Sequence, residues 1–496
     1  MSEAFPPPGG TGRDSPDARP TMGVSLSGGG HRATLFSLGA LLAVSECAAT
    51  FRVAWVSSVS GGSIANGVLL RAGGLGAPTS DRLATVVLDR LDRLSRRRAP
   101  FGTVRSMLAL LTWTVVVVSL LVALVWTWPW GGASRLAVLG VLLLLLSVTL
   151  RQRGRVLEWA LDDMWLRDPG VPTTVLGWDA AAERDVVRDD GPEVPIFCST
   201  DLLSLGPQFI GASFFVSDDR LWTLRRIPLI RALRSSASFP GLLPPVWTRL
   251  RSLAGDSAVQ VHRRRIGSTG ADDQDLPERW GLLTDGGVYN NLGTHWGTRG
   301  RLSDHDGRVL PRRLRQPVDQ HLVVDAGRDD ARASPITFVI PFVGALRSLL
   351  QVPRASYNSA LQAHRSEIAE TTWLTRSGRR EHARIVRITD RLGWGTSPSP
   401  QATELSVNAW QIICWTSQGA RTHLFRVRRD KALRIVAHGY AMTIDRLASM
   451  GVPSEDLGRH WHSWLGEAVT AGLPDVAWQE AVLDRETWAQ LPRDER

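Results

Sequence analysis

Two glycine-rich turns, about thirty residues apart, contain residue types suited to nucleophilic chemistry. The first, residues 27–32 (SGGGHR), follows the apolar run 22–26, and the second, residues 57–63 (SSVSGGS), follows the apolar run 53–56. Each pattern predicts a short buried strand that enters a tight turn and then a helix. The first turn offers backbone N–H groups and the second offers a serine hydroxyl. An oxyanion hole and a nucleophile are the parts that acyl transfer requires.

The second turn matches most of the nucleophile-elbow motif. In that motif a serine lies on a strained bend between a strand and a helix. The elbow is usually G-x-S-x-G, because little space is left beside the serine. Here Ser60 is the candidate nucleophile, Gly61 and Gly62 follow it, and Ser58 replaces the first glycine. Serine and glycine clusters also occur in ordinary turns. The interpretation as a nucleophile elbow therefore depends on the position of this cluster between a predicted strand and a predicted helix.

The first turn also fits a second interpretation, a dinucleotide-binding loop, through Gly28, Gly30 and Ala33. That fingerprint needs an acidic residue about twenty positions later, at the end of the next strand, to bind a ribose. The next predicted strand ends in serines instead. An anion is still expected at this helix N-terminus, and Arg32 in the first turn adds a cation beside it.

A candidate base lies far downstream, where the apolar run 280–284 ends in Asp285, Gly286 and Gly287. A carboxylate at the carboxyl end of a buried strand faces the ligand crevice of an open α/β sheet. Asp-Gly is also a common turn, which is the alternative interpretation. Asp325, in the Asp-Ala-Gly sequence that follows a later apolar run, is a second candidate for the acid.

These motifs, in this order, resemble the patatin-like phospholipase family, in particular bacterial membrane-anchored members. Residues 231–246 (RALRSSASFPGLLPPV) resemble a further segment of that family, and residues 195–202 resemble the strand before it. The resemblance implies a three-layer α/β/α domain with a mainly parallel central sheet. It also implies a lipid acyl hydrolase whose Ser–Asp dyad works without histidine. The departures are Ser58, Ala33 and Ser27.

Carried over residue by residue, the resemblance gives Ser60 and Asp285 the catalytic roles. Gly28, Gly29, Gly30 and Arg32 form the oxyanion hole, with Ser58, Gly61, Gly62, Gly286 and Gly287 in support. A serine needs a base, and a free aspartate, with a pKa near about 3.9, is a weak one. We therefore expect Asp285 to be desolvated and hydrogen-bonded to Ser60. A triad with His295 is the alternative.

A predicted transmembrane helical hairpin interrupts this domain. Residues 107–128 carry no charge and are long enough to span a bilayer, and residues 132–150 form a second apolar run after a Pro-Trp-Gly-Gly turn. A re-entrant hairpin and a buried core hairpin are the alternatives. Arginines flank both outer ends, which places both ends on the cytoplasmic side. An even number of crossings is also required if Ser60 and Asp285 share one domain.

The chain has 496 residues, enough for one large α/β domain with additions. We predict a disordered segment over 1–20, catalytic parts over 21–100 and 156–350, the hairpin within 101–155, and a mainly helical region over 351–496. We expect a multi-pass protein of the bacterial inner membrane, with its catalytic domain in the cytoplasm. Its expected partners are the bilayer and a phospholipid or other acyl ester substrate.

Composition narrows the remaining classes of function. The net charge of +10 comes almost entirely from arginine, and without a recognition motif it does not indicate nucleic-acid binding. Three scattered cysteines lack metal-ligand spacing, so we expect no metal site, no cofactor and no disulfide framework. The alternative from another class is a catalytically silent membrane scaffold, for which Ser58 is the only sequence hint.

Overall fold

The protein is described from a computed structural model. The described residues are 19–75, 80–96, 158–167, 193–211, 214–217, 220–224, 227–238, 245–249, 259–263, 280–298, 318–327, 372–374, 380–389, 405, 407–420 and 427–473, with separate helical positions between 115 and 144.

Strands from most of the described chain assemble into one large sheet of eleven strands, and two further strands pair separately. In chain order the strands are β1 (Thr21–Leu26), β2 (Arg52–Ser58), β3 (Val194–Asp201), β4 (Gly206–Ile210), β5 (Phe214–Val216), β6 (Arg220–Leu224), β7 (Val246–Arg249), β8 (Val259–Arg263), β9 (Trp280–Asp285), β10 (Gln320–Asp325), β11 (Thr372–Leu374), β12 (Arg380–His382) and β13 (Arg384–Arg387). Strands β11 and β12 form the separate antiparallel pair.

The large sheet has a parallel half and an antiparallel half, so the prediction of a mainly parallel sheet is only partly right. Strands β13, β10, β1, β2 and β3 are parallel neighbours. Beyond β3 every described pairing in this sheet is antiparallel. The cause is connection length, because the few residues between β3, β4, β5 and β6 allow hairpins but no crossover helix.

Two strands meet end to end along one edge of β3, and this arrangement positions the site. Strand β2 runs parallel to β3 and ends with Ser58 opposite Phe197. Strand β9 runs antiparallel to β3 and ends with Asp285 opposite Ser199. Since β4 occupies the other edge of these β3 residues, the carboxyl ends of β2 and β9 face each other. Their partners on β3 are two positions apart, a distance of about 7 Å.

Helices cover one face of the parallel half. In chain order the α-helices are α1 (Gly30–Glu46), α2 (Gly61–Ala72), α3 (Ser80–Arg96), α4 (Leu229–Ala237), α5 (His295–Thr298), α6 (Val407–Gly419), α7 (Arg429–Ser449) and α8 (Gly466–Thr470). The largest apolar cluster lies between the sheet and helices α1, α2, α3 and α7. On the opposite face a second cluster contains Trp296 of α5. No longer helix covers this face among the described residues, so the third layer stays a prediction.

The segment after residue 350 belongs to the same body as the candidate site. Strand β13 pairs with β10, and buried residues of α6 and α7 join the cluster that contains α1. We predicted this region to be mainly helical and outside the catalytic domain. It contributes an edge strand of the sheet as well as helices over the core.

Within the described part of the chain, one helix is long and apolar enough to cross a membrane, and it consists of α1 with the turn to Ala49. Its most apolar window is 83% buried inside the protein. The burial accounts for its composition, because a helix that is apolar on all sides suits the centre of a large domain.

The predicted hairpin, 107–128 and 132–150, lies largely outside the described residues. The positions that are described there are helical. Nine of them are large apolar residues with 44–74% of their surface exposed: Val115, Val118, Val122, Val125, Trp126, Leu136, Leu139, Val141 and Leu144. Exposed large apolar side chains that lie close together mark a surface that meets another apolar phase or protein. Whether the hairpin crosses a bilayer stays a prediction.

Candidate active site

The first component is a strained turn that presents Ser60. Strand β2 ends at Ser58, α2 begins at Gly61, and Ser60 lies between them with φ 50° and ψ −115°. Among the described residues only Ser60 and Leu205 have a positive φ without being glycine. Such backbone costs of order 1–3 kcal/mol and persists where the surroundings enforce it. Here Val59 N–H donates to Leu26 O (3.0 Å) and Gly62 N–H to Ser27 O (3.2 Å), which fastens the turn to β1.

Ser58 departs from the usual elbow glycine, and the structure gives it a specific environment. Its side chain is fully buried, and its hydroxyl donates to Ile196 O at 3.1 Å. The same oxygen accepts from the Ser63 hydroxyl (3.1 Å) and from Asn66 Nδ2 (3.0 Å), both on α2. Ser58 therefore joins β3 to the helix that follows the nucleophile, and its oxygen accepts two buried hydrogen bonds that a glycine could not accept.

The second component is the glycine-rich loop between β1 and α1. Gly29 and Gly30 have φ of 140° and 58° and are partly exposed. Their N–H groups make no hydrogen bond within the described part of the chain, as expected for the first residues of a helix. The Gly28 N–H instead donates to Asn291 O at 2.9 Å. Gly28 was predicted to belong to the oxyanion hole, and this engagement leaves Gly29 and Gly30 as the available donors.

Gly28 contributes to the site in a different way, because it lies close to the nucleophile Ser60. A Cβ at this position would lie 3.2 Å from the Ser60 Cβ and would overlap the Asn291 side chain. Gly61 fits equally closely on the other side, because a Cβ there would overlap the Gly30 carbonyl. The loop and the elbow are thus in direct backbone contact, which requires the absence of side chains at these two positions.

Arg32 lies in the first turn of α1 and is only 5% exposed. Its Nη1 donates to Ala420 O at 3.3 Å, just beyond the end of α6. Its Nη2 lies 3.7 Å from where a Cβ of Gly29 would be. The guanidinium is therefore fixed beside the glycine loop, close enough to add positive potential there.

The third component is Asp285, which ends β9 and is 1% exposed. Its Oδ1 accepts the Gly287 N–H at 2.8 Å, and its own N–H donates to Ser238 O at 3.0 Å. Gly286 packs against the Cys198 carbonyl so closely that a Cβ would overlap it. These contacts define one orientation for the carboxylate, and they use the two glycines predicted to support it.

Burial raises the pKa of Asp285 to about 6, from an ordinary value of 3.8. The Ser60 hydroxyl and the Gly287 N–H, which lie beside the carboxylate, oppose this rise in pKa. Oδ2 of Asp285 makes no hydrogen bond in the described structure, so the direct bond from the Ser60 hydroxyl that we expected is not formed there. Ser60 and Asp285 are thus brought together as neighbours, with a carboxylate whose basicity is increased by desolvation.

The two histidines close to the motifs pack against other side chains. His295 Nδ1 lies 2.8 Å from Asn290 Nδ2, and its ring packs on Tyr289. His31 packs on Trp165. Asp325 repeats the Asp285 turn, accepting Gly327 N–H at 2.8 Å, but it ends β10, which is separated from β2 by β1. The residues of this region therefore favour Asp285 over Asp325 as the base for Ser60.

Sequence reasoning missed two residues of the site. Ser236 on α4 places both its carbonyl oxygen and its hydroxyl 3.2 Å from the Ser60 nitrogen. Asn291, 2% exposed, contacts Gly28 beside Ser60. Both lie in stretches that were compared with the family motifs, but only long-range packing shows what they contact.

The described residues contain no group of three or more histidine, cysteine or acidic side chains that could hold a metal ion. All three cysteines are buried and free. Burial raises the pKa of Cys198 to about 11, so this thiol, although it lies 3.2 Å from the Ser57 hydroxyl, is no nucleophile at neutral pH.

Comparisons with known proteins give little further detail. No family model matches the sequence, and no curated protein matches it. Among solved structures, the chain is similar to human GIVD cytosolic phospholipase A2, with 14% identity and a TM-score of 0.41, over 89% of this chain and 60% of that one. A second structure, of the same human protein in complex with methyl gamma-linolenyl fluorophosphonate and terbium chloride, has 14% identity, a TM-score of 0.37 and coverage of 93% and 61%. The chain thus spans about three fifths of the length of these structures.

Proposed function

We propose that this chain is a serine acyl hydrolase that cleaves acyl esters of membrane lipids through Ser60 and Asp285. The observation that carries the proposal is the strained turn that presents Ser60 next to the buried Asp285 carboxylate. Active sites typically combine three features in one place: backbone strain at a non-glycine residue, a desolvated acid and free backbone donors.

In the proposed reaction Asp285 accepts the Ser60 proton while Oγ attacks the ester carbonyl carbon. Collapse of the tetrahedral intermediate breaks the bond to the alcohol, which leaves with the proton from Asp285. Water then adds to the acyl-Ser60 ester, giving the fatty acid and free Ser60. A base with a pKa near 6 is largely ionised at pH 7 and is a stronger base than an ordinary aspartate.

Negative charge on the carbonyl oxygen is stabilised in this proposal by the N–H groups of Gly29 and Gly30. The α1 macrodipole and Arg32 add to the positive potential there. The Ser60 N–H is not part of this set, because it is directed at the two oxygens of Ser236. Two backbone donors aimed at one oxygen are sufficient for such a site.

Membrane lipid is the proposed substrate class because of the apolar segments between Ser60 and Asp285. The exposed apolar side chains at the described positions from 115 to 144 support a membrane hairpin, and the arginines beyond its ends support a cytoplasmic position for both. A hairpin inserted into the catalytic domain keeps the active site at the surface from which its substrate is drawn. The resemblance to patatin-like phospholipases in sequence agrees with this class.

The test is fatty acid release from vesicles of phosphatidylethanolamine and phosphatidylglycerol by the full chain in detergent. We expect release by the native chain and at least a 1,000-fold loss in both Ser60→Ala and Asp285→Asn, about the scale found when members of a catalytic triad are removed. Equal release by the native chain and Ser60→Ala would contradict the proposal. No release from any lipid or ester by folded native protein would favour the silent scaffold.

A further inference from the structure

Two buried oxygen acceptors beside Ser60 have no hydrogen-bond partner within the described part of the chain. One is Oδ2 of Asp285 and the other is Oδ1 of Asn291. The Ser60 hydroxyl lies near enough to the Asp285 carboxylate to lower its pKa. Asn291 Oδ1 overlaps the point where a Gly28 Cβ would lie, and that point is 3.2 Å from the Ser60 Cβ. The two acceptors therefore flank the nucleophile.

A buried acceptor without a donor destabilises a protein, and most such groups in proteins are satisfied. Asn291 is held in this position by its backbone, whose carbonyl accepts the Gly28 N–H at 2.9 Å. It also follows Asn290, whose Oδ1 accepts the Leu292 N–H at 2.9 Å and whose Nδ2 lies 3.0 Å from Thr294 Oγ1. The turn is thus ordered by Asn290, while the buried Asn291 oxygen has no donor among the described residues.

We propose that Asn291 Oδ1 and Asp285 Oδ2 together bind the water that hydrolyses the acyl-enzyme. Water has two hydrogens, and one directed at each acceptor fixes its lone pair relative to the acyl carbon on Ser60. Acylation of Ser60 removes the hydroxyl that lies beside Asp285 in the free enzyme. The inference rests on the proposed function, since it assigns a residue to its second step.

In the deacylation step Asp285 acts as the base for the bound water. The water oxygen forms a bond to the acyl carbon, and the proton facing Asp285 moves to its carboxylate. The bond from the acyl carbon to Ser60 Oγ then breaks, and Oγ takes the proton from Asp285. The products are a fatty acid and the starting enzyme. The second water hydrogen stays with the acid, and Asn291 only orients it.

The experiment measures acylation and deacylation separately, with p-nitrophenyl butyrate and the full chain in detergent micelles. Asn291→Ala removes the acceptor, and Asn291→Asp retains one with nearly the same size. We expect Asn291→Ala to keep the rate of the first p-nitrophenol burst and to slow steady turnover about 10- to 100-fold, the scale of a misplaced reactant. Intact mass should show the butyryl adduct on Ser60 accumulating. Asn291→Asp should retain more turnover than Asn291→Ala.

Asn290→Ala is the matched control, because it loosens the same turn without removing the Asn291 oxygen. Burst and turnover that slow together in Asn291→Ala, or turnover that is unchanged, would overturn the inference. The same selective loss of deacylation in Asn290→Ala would also overturn it, since the effect would then come from the turn. Failure of the proposed function has a different signature, which is a native chain with neither burst nor adduct.

Discussion

Ser60 and Ser236 are joined through the Ser60 backbone nitrogen, which lies 3.2 Å from both the carbonyl oxygen and the hydroxyl oxygen of Ser236. The Ser236 hydroxyl also donates to Cys198 O at 2.6 Å and lies 2.7 Å from the Ser63 hydroxyl. Helix α4 therefore supports the nucleophile turn from the side opposite the glycine loop. This contact directs the Ser60 amide away from an oxyanion and helps to enforce a strained backbone.

Replacing Ser236 with alanine should slow acylation, because the Ser60 turn loses one of its two acceptors and Ser63 loses a partner. We expect a decrease in kcat/KM of about 10-fold, corresponding to about 1.4 kcal/mol. Ser235→Ala is the control, since that buried hydroxyl donates only within its own helix, to Arg231 O at 2.9 Å. Equal kinetics of the two variants would show that Ser236 does not position the nucleophile.

Replacing Ser58 with glycine should destabilise the protein even though it restores the usual elbow sequence. Ser63 and Asn66 would lose their shared acceptor inside the core, at a cost of about 1–3 kcal/mol. Thermal unfolding followed by tryptophan fluorescence measures the loss, and the labelling rate of Ser60 in the remaining folded protein should be little changed. A more stable Ser58→Gly variant would mean that the hydrogen-bond network around Ser58 contributes nothing.

Replacing Ser60 with glycine should remove backbone strain as well as activity. Glycine adopts positive φ without a steric penalty, whereas alanine does not. We therefore expect Ser60→Gly to unfold at a higher temperature than Ser60→Ala, with both inactive. The difference is limited to about 1 kcal/mol, because glycine also gains entropy in the unfolded chain. A Ser60→Ala variant that is clearly the more stable of the two would contradict the strained geometry.

The raised pKa of Asp285 predicts opposite effects of pH on activity and on stability. Activity should decrease as the pH falls through about 6, because the base becomes protonated. The folded state binds this proton more tightly than the unfolded state. The stabilisation from it is complete below about pH 4 and is lost as the pH rises through about 6, by about 3 kcal/mol in total.

Asp285→Asn tests the stability half of this prediction, because an amide does not ionise. The free energy of unfolding of the variant should lack the decrease between pH 4 and pH 7. At pH 8 the variant should therefore be more stable than the native chain. A native chain and variant with parallel pH profiles would show that Asp285 has an ordinary pKa.

The predicted hairpin is tested by labelling with a membrane-impermeant thiol reagent. The three native cysteines are buried, so they give little background. We expect Gly132→Cys, in the predicted external turn, to react in intact cells. Leu205→Cys, at a position that is 75% exposed in the α/β domain, should react only after the membrane is opened. Reaction of both positions from the same side would contradict a membrane-crossing hairpin.

Sequence patterns identified the elements of the site where the information is local. A buried strand followed by glycine or serine is visible over ten residues, so β1 with its loop, β2 with Ser60 and β9 with Asp285 were all predicted. The antiparallel half of the sheet was not, because strand direction depends on pairing partners. The end-to-end meeting of β2 and β9 on β3 is likewise a long-range feature.

The same distinction explains the residues that were missed or misassigned. Gly28 has the residue type of an oxyanion donor, and only the fold shows that Asn291 O occupies its N–H. Ser58 looked like a defect in the elbow, whereas its hydroxyl has three partners contributed by two other elements. Residue type predicts what a group is able to do, and packing determines which groups are left free to do it.

The measurement that tests the central claim most directly is covalent labelling with a fluorophosphonate, followed by peptide mass spectrometry. The full native chain in detergent should carry one phosphonate adduct, on Ser60. Ser60→Ala should carry none, and Asp285→Asn should react far more slowly. A folded native chain that stays unlabelled, or a Ser60→Ala variant labelled as fast as the native chain, would contradict a Ser60–Asp285 catalytic dyad.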